Sequence, residues 1–172
     1  MKLDDDDFVL LGLPRRYALD RTELDARVRQ LQAQVHPDRF VTEGAAAQRV
    51  AMQWAVRVNE AAQRLRDPVR RGAYLCELAG KPIKADSNTA MPLAFLQQQM
   101  AWREALDDAA DAAAVDALAE QVRAHEHQAL EDLRAQLDEH ADLPAAVAQV
   151  RALMFVRRLA DEIEQRREAH SS

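Results

Sequence analysis

Apolar residues recur along this chain at the spacing of α-helices. After Asp20, the apolar positions Leu24, Val28, Leu31 and Val35 follow one another at steps of four, three and four residues. Such steps bring side chains onto one helix face, whereas a half-buried strand would show strict alternation. The pattern therefore predicts an all-α fold. Five further helices are predicted, at about residues 42–66, 69–79, 92–107, 112–140 and 144–167. The apolar face of the first of these five is expected at Val50, Trp54, Val58, Leu65 and either Ala61 or Ala62.

Two breaks divide the helical pattern. Pro37 ends a helix because it has no N–H to donate and moves the preceding His36 out of helical backbone. The helices on either side of it would form a hairpin with an exposed loop at one end. A longer break, at residues 80–89, is typical of a domain boundary. The predicted organisation is a domain at 1–80, a linker at 81–91 and an antiparallel three-helix bundle at 92–172.

The helix that starts near residue 92 carries two apolar stripes instead of one. Phe95, Trp102 and Leu106 form the first stripe. A second stripe, Leu93, Leu96 and Met100, lies on another side of the same helix. One stripe can face the bundle, and the other needs a different partner, either the first domain or another protein.

The N-terminal acidic run, Asp4–Asp7, is expected to cap a short first helix that ends near Gly12 and Pro14. Carboxylates are favoured at the positive end of the helix macrodipole. A cation site is disfavoured because the ligand spacing and the glycine turn of a calcium loop are missing.

Composition and charge narrow the function classes. The net charge is −6, and a nucleic-acid-binding protein usually carries a basic stripe, so no nucleic-acid partner is expected. The single cysteine, Cys76, excludes an internal disulfide and a cysteine-based zinc site, and its apolar neighbours predict a small buried side chain. No apolar stretch approaches the ~20 residues of a membrane-spanning helix, and the acidic start is unlike a signal peptide. These features predict a cytoplasmic protein with no membrane partner.

Two segments with histidines are candidates for chemistry. His36 and Asp38 could act as a base and its orienting group, but no nucleophile or phosphate-binding glycine loop accompanies them. Their closeness across a rigid proline is also expected to keep the side chains from pointing at each other. They fit a binding loop better, because Pro37 lowers the ordering cost and Asp38 offers a carboxylate to an arginine. His125 and His127 lie on different sides of a helix, so neither a metal site nor a cofactor is expected.

Taken together, these elements resemble the J-domain of DnaJ-type co-chaperones. The resemblance is carried by the arginine-bearing second helix, the His36-Pro37-Asp38 motif, the long third helix and the closing Asp67-Pro68. Further segments are similar to one branch of that family, the HscB co-chaperones of iron–sulfur cluster assembly. These segments are Phe8 to Pro14, Tyr17 to Asp20, Arg39-Phe40, Phe95-Leu96 and Arg103 to Leu106.

The resemblance implies a co-chaperone and adaptor that is not itself an enzyme. Its J-domain would bind an HscA-type chaperone of the DnaK class and stimulate ATP hydrolysis, and its bundle would deliver an IscU-type scaffold. The chain is expected to be a monomer. The chaperone contact would be made by His36, Pro37, Asp38, Arg21, Arg27, Arg29 and Arg39. The scaffold contact would be made by Leu96, Gln97, Met100, Ala101, Arg103, Glu104 and Phe155.

Two positions depart from the family pattern. Gln97 stands where a methionine is common, and Ala101 stands where an acidic residue is common, so these two contacts are expected to differ. The single cysteine excludes the cysteine-rich metal site of some eukaryotic relatives, and the lack of a transit peptide points to a bacterial member. Alternatives stay open: the bundle could bind another client or a second copy, and a catalytic His36 would require a concave pocket around it.

Overall fold

A computed structural model of the chain describes residues 1–84 and 91–171. Most of the described residues are helical and none of them lies in a strand, so the predicted all-α fold is confirmed. The chain divides into two compact units, Met1–Leu75 and Cys76–Ser172. The predicted linker at 81–91 includes residues 85–90, which lie outside the described residues, and the predicted domain limits stay predictions.

The first unit is built from four α-helices and one 3₁₀ turn. Its elements are α1 (Asp7–Leu11), α2 (Arg21–Val35), the 3₁₀ turn (Pro37–Glu43), α3 (Ala45–Arg66) and α4 (Pro68–Leu78), whose last residues belong to the second unit. The long third helix was expected to start near Thr42, but α3 starts at Ala45. The difference arises at Gly44, whose φ of 97° separates the 3₁₀ turn from the α-helix.

Side-chain carboxylates start the first two helices. Asp6 accepts a hydrogen bond from the backbone N–H of Val9 at 3.0 Å, which confirms that the acidic run caps α1. Asp20 caps α2 in the same way, with its carboxylate accepting from the N–H groups of Thr22 and Glu23. Such caps satisfy N–H groups that have no partner within the helix. The helix α1 ends at Gly12, where the left-handed backbone suits a glycine.

The core of the first unit differs from the sequence prediction at one helix face. Val58, Ala61, Ala62 and Leu65 of α3 are buried as expected. Val50 was expected to join them, but it is 51% exposed, and the neighbouring Ala51 is buried instead. The core face of α3 is therefore rotated by about one residue, or 100° around the helix axis, at this end.

A buried carboxylate joins α1 to α3. Asp7 is fully buried, and its two oxygens lie 2.8 Å from a guanidinium nitrogen of Arg57 and 3.1 Å from one of Arg64. The backbone N–H of Asp7 donates to the hydroxyl of Tyr74, and burial raises the pKa of that hydroxyl. The guanidinium of Arg64 also lies over the Tyr74 ring, 4.5 Å from its centre. This ion-pair cluster fixes the short first helix on the hairpin.

The second unit contains an antiparallel three-helix bundle. Its helices are α5 (Leu93–Asp108), α6 (Ala112–Arg134), which continues as a π-helical segment (Ala135–Glu139), and α7 (Leu143–Ser171). Asp111 caps α6, and at the start of α7 Asp142 accepts from the N–H of Ala145 at 3.2 Å. Ala141, between α6 and α7, has a positive φ of 48°.

The bundle core is apolar. One cluster joins α5 to the two long helices through Trp102, Leu106, Val115, Leu118, Val122, Val156, Leu159 and Ile163. The first apolar stripe of α5 thus supplies two of its three members to the core, while its third member, Phe95, is half-buried at the edge. Outside this cluster, Cys76 of α4 is buried, as predicted, and its burial raises the pKa of the thiol.

Candidate functional sites

The loop between α2 and α3 presents His36 and Asp38 to solvent. Pro37 holds His36 in extended backbone, with φ −62° and ψ 127°, and so ends α2. The Nδ1 atom of His36 accepts a hydrogen bond from the backbone N–H of Asp38 at 3.2 Å, so the histidine caps the 3₁₀ turn. The side chains of His36 and Asp38 are 59% and 86% exposed. A rigid turn thus displays two ionisable groups.

The two side chains come closer than the sequence suggested. Nδ1 of His36 lies 3.7 Å from a carboxylate oxygen of Asp38, so the expectation that they cannot point at each other is wrong. The cause is the 3₁₀ turn, which brings the N–H of Asp38 onto the imidazole. Because Nδ1 of His36 accepts from the N–H of Asp38, it has no proton to donate to the carboxylate, so the pair is not arranged as a base with its orienting group.

Three of the four arginines predicted for the chaperone contact lie on α2, and all three are exposed. Arg21 pairs with Asp25 at 3.3 Å, and Asp25 also pairs with Arg66 of α3 at 3.0 Å. Burial alone would raise the pKa of Asp25, but the hydrogen bonds and positive charges of Arg66 and Arg21 outweigh it and lower the pKa. Arg27 and Arg29 are exposed on the same helix. The helix α2 therefore exposes three arginines, of which Arg21 is already paired with Asp25.

Arg39 is held by the loop itself. Its guanidinium donates to the backbone carbonyl of Ala33, near the end of α2, at 3.2 Å. A cation is favoured there, because the last carbonyls of a helix have no partner within the helix. The arginine therefore ties the 3₁₀ turn to α2, in addition to any contact that it makes with a partner.

The second stripe of α5 is exposed to solvent. Leu93, Leu96 and Met100 are 70%, 40% and 64% exposed, while Trp102 and Leu106 of the first stripe are each 5% exposed. The helix therefore separates its apolar residues between the core and the surface in the way the spacing predicted. Large exposed apolar side chains grouped on one helix are typical of a protein interaction surface.

The other predicted scaffold contacts surround this stripe. Gln97, Ala101 and Glu104 are exposed on α5, and Arg103 pairs with Glu162 of α7 at 2.7 Å. Phe155 of α7 is half-buried. Its ring lies 6.4 Å from the ring of Phe95, and the guanidinium of Arg158 covers it at 4.7 Å.

Sequence reasoning missed an aromatic cluster and a cleft in the second unit. The ring of His125 contacts Trp102 edge-on at 4.8 Å between centres, and it lies 6.5 Å from Phe95. Beside Phe95, a cleft of about 370 Å³ opens between α5, α6 and α7. The signal that could have revealed it is the row of small residues on α7, Ala145, Ala148 and Ala152, which continues to Phe155 at helical spacing.

The described part of the chain was searched for groups of metal-ligating side chains and for membrane-spanning helices. Residues 1–84 and 91–171 contain no group of three or more histidine, cysteine, aspartate or glutamate side chains placed to hold a metal ion. Within the same ranges, no helix is both long enough and apolar enough to cross a membrane.

Comparisons with known proteins find relatives that cover nearly the whole chain. Residues 91–164 match a family model described as the HSCB C-terminal oligomerisation domain. The co-chaperone protein HscB homolog of Bordetella pertussis is 52% identical over 163 residues, which cover 92% of this chain and 94% of that protein. The homolog from Burkholderia cenocepacia is 51% identical over 166 residues, with 95% and 94% covered.

Solved structures extend the likeness to the fold. Chaperone HscB from Vibrio cholerae is 35% identical, with a TM-score of 0.82 and coverage of 96% of this chain and 99% of that chain. Human co-chaperone protein HscB is 25% identical, with a TM-score of 0.91 and coverage of 96% and 84%. The His36-Pro37-Asp38 loop, the two-unit helical fold and these likenesses agree, and this chain belongs to the HscB family of co-chaperones.

Proposed function

We propose that this chain is a bacterial, cytoplasmic co-chaperone of iron–sulfur cluster assembly. It binds an IscU-type scaffold through its bundle, brings the scaffold to an HscA-type chaperone and stimulates the ATPase of that chaperone. The proposal is carried by the exposed His36-Pro37-Asp38 loop in a chain that is 52% identical to a named HscB co-chaperone over 92% of its length. The chain itself would perform no catalysis.

In the proposed chaperone contact, the loop and the cationic side of α2 act together. Arg21, Arg27 and Arg29 provide positive charge that attracts an acidic surface of the chaperone and orients the encounter. Asp38 then offers an exposed carboxylate that an arginine of the chaperone can hold through two hydrogen bonds. Because Pro37 and the His36 cap already fix the turn, little ordering entropy is lost on binding.

In the proposed scaffold contact, the exposed stripe of α5 provides the apolar area. Leu96 and Met100 are the central side chains, and Phe155 extends the surface onto α7. Gln97, Ala101, Arg103 and Glu104 form the border of this surface. At Gln97 and Ala101 the departures from the family pattern predict complementary changes on the scaffold partner.

Reconstitution with purified proteins tests the proposal. The chain is mixed with an HscA-type ATPase, and the rate of ATP hydrolysis is measured with and without an IscU-type scaffold. We expect stimulation by the chain, further stimulation when the scaffold is present, and a complex of chain and scaffold on a sizing column. An ATPase rate that does not respond to the chain would overturn the assignment.

A second candidate use of the bundle is self-association. It is favoured by the exposed α5 stripe and by the description of the matching family model as an oligomerisation domain. We propose that the chain is a monomer, and sedimentation analysis at increasing concentration separates the two ideas. If a dimer forms and alanine at Leu96 and Met100 dissolves it, the stripe serves self-association.

A further inference from the structure

The cleft beside Phe95 has the size and lining of a binding site for a single side chain. Its volume of about 370 Å³ is near the lower end of the range for ligand clefts, about 300–1,000 Å³. The floor is apolar, formed by Phe95 and by alanines of α6 and α7, among them Ala148 and Ala152. An aliphatic chain can therefore lie on the floor and lose its apolar area from water.

The rim of the cleft carries a negative charge at Asp132. Asp132 carries an exposed carboxylate, and only one of its oxygens accepts from Gln128, at 2.9 Å. The amide oxygen of Gln136 is buried without a hydrogen-bond partner among the described residues, while the amide nitrogen of Gln136 donates to Gln149. The cleft thus combines an apolar floor with a negative charge at its rim.

The backbone around Gln136 is unusual as well. Gln136 lies in the π-helical segment at the end of α6, and the positive φ of Ala141 follows shortly after it. π-helical turns inside longer helices are frequently found at functional sites. The irregular backbone and the unsatisfied amide oxygen occur at the same residue, next to the cleft.

The cleft is continuous with the proposed scaffold surface. Phe95 lines the cleft, and its ring also contacts the ring of Phe155, which belongs to that surface. A protein docked on the α5 stripe and on Phe155 could therefore reach the cleft with a neighbouring side chain.

We infer that this cleft binds a lysine or arginine side chain of the scaffold, which extends the docking surface from α5 onto α6 and α7. The aliphatic stem of the side chain lies on the alanine floor, and its cationic head pairs with the exposed carboxylate of Asp132. An acidic side chain would be repelled by Asp132, and a purely apolar one would make no use of that charge. The inference rests on the proposed scaffold binding.

Isothermal titration with an IscU-type scaffold tests the inference through three variants. Asp132→Asn keeps the shape of the rim and removes its charge, and we expect it to weaken binding about fivefold. It should also reduce the dependence of affinity on salt. Ala148→Leu fills the floor, and we expect it to weaken binding about tenfold. Asp161→Asn is the matched control, because Asp161 is exposed on α7 and does not line the cleft.

A fourth variant distinguishes this inference from the proposed function. Alanine at Leu96 and Met100 should weaken scaffold binding whether or not the cleft is used. If it does so while Asp132→Asn and Ala148→Leu bind like the unmodified chain, the cleft inference is wrong and the scaffold surface stands. If the unmodified chain does not bind the scaffold, the proposed function fails, and the cleft inference fails with it.

A charge reversal identifies the side chain that enters the cleft. Asp132→Lys is titrated against scaffold variants in which one lysine or arginine at a time is replaced by glutamate. We expect one such replacement to restore at least part of the lost affinity. Restoration by none of them would overturn a basic occupant.

Discussion

The two exposed surfaces of this protein are built by opposite means. The His36-Pro37-Asp38 loop places polar side chains in consecutive positions and fixes them by a proline and a cap within the loop. The α5 stripe takes Leu96 and Met100 from successive turns of a helix, and the buried opposite side of that helix holds them in place. In the proposed contacts, the loop offers one directed carboxylate, that of Asp38, beside the arginines of α2, whereas the stripe distributes its apolar contact over several side chains.

The largest expected effect is on stimulation of the chaperone ATPase, because Asp38 is the carboxylate that the loop offers to the chaperone. Asp38→Asn removes the charge of a side chain that is 86% exposed, and it should abolish stimulation of an HscA-type ATPase. Stability should change by less than about 0.5 kcal/mol, because the substitution touches no buried contact. Scaffold affinity should not change. Steady-state ATPase assays and isothermal titration check the two halves of this prediction.

The matched control for this experiment is Asp4→Asn, which changes an exposed aspartate elsewhere in the first unit. It should stimulate the ATPase like the unmodified chain. Undiminished stimulation by Asp38→Asn would show that the loop does not carry the chaperone contact.

The second prediction concerns the apolar surface. Alanine at Leu96, Met100 and Phe155 together should weaken scaffold binding about a hundredfold, because central apolar side chains dominate such interfaces. Stimulation of the ATPase by the chain alone should be unchanged, since the loop is untouched. Calorimetry with the scaffold and an ATPase assay without it give the two measurements.

Equally exposed apolar residues of α3 provide the control for this second prediction. Met52 and Val56 are 57% and 53% exposed, and alanine at both removes a similar kind of surface outside the second unit. Scaffold affinity should stay the same in that variant. An equal loss in both variants would show that the effect is general and does not depend on the stripe.

The sequence predicted the two surfaces unequally well, for physical reasons. Helical spacing is local, so the amino-acid sequence alone is enough to separate the two stripes of α5. The prediction that Val50 is buried was wrong. Val50 and Ala51 are both apolar, and a rotation of the helix by one residue exchanges them on the core face. The loop motif was visible, but the short distance between His36 and Asp38 depends on a turn that the proline alone does not dictate.

Contacts between distant segments left no signal in the sequence. The pairing of Asp7 with Arg57 and Arg64 joins a helix near the N-terminus to α3, and the run of four aspartates gave no reason to select this one. The cleft beside Phe95 likewise requires three helices to meet. Its lining includes Gln136, which in the sequence is an ordinary polar position of the helix predicted at 112–140.

The third prediction concerns the stability of the first unit, which contains the buried cluster of Asp7, Arg57 and Arg64. Asp7→Asn leaves the charges of Arg57 and Arg64 unpaired, and it should lower the free energy of unfolding of the first unit by about 2 kcal/mol. The loss is expected to be moderate because both arginine side chains keep partial contact with water. Binding of the scaffold by the second unit should remain.

The two tryptophans allow the stability of the first unit to be measured separately. Trp54 lies in the first unit and Trp102 in the second, so a Trp102→Phe background leaves fluorescence from the first unit alone. Urea unfolding of Asp7→Asn and of the control Asp4→Asn is then compared in this background. If the midpoint is the same in both variants, α1 does not depend on the buried carboxylate.

The smallest expected effect is a pH dependence at the start of α1. Burial alone would raise the pKa of Asp6, but the hydrogen bonds from the N–H groups of Val9 and Phe8 and the guanidinium of Arg15 outweigh it and lower the pKa. A carboxyl whose folded pKa lies below its unfolded value of about 3.9 stabilises the fold above that value. The stabilisation is lost as the pH falls through the folded pKa.

Asp6→Asn separates the charge from the cap. Asparagine caps a helix about as well as aspartate, so the variant should lose only the ion pair with Arg15, about 0.5 kcal/mol at pH 7. The difference from the unmodified chain should shrink below pH 4 and vanish once Asp6 is protonated in the folded protein. Urea unfolding followed by Trp54 fluorescence at several pH values measures it. A difference that stays constant down to pH 2 would show that Asp6 acts by hydrogen bonding alone, with no contribution from its charge.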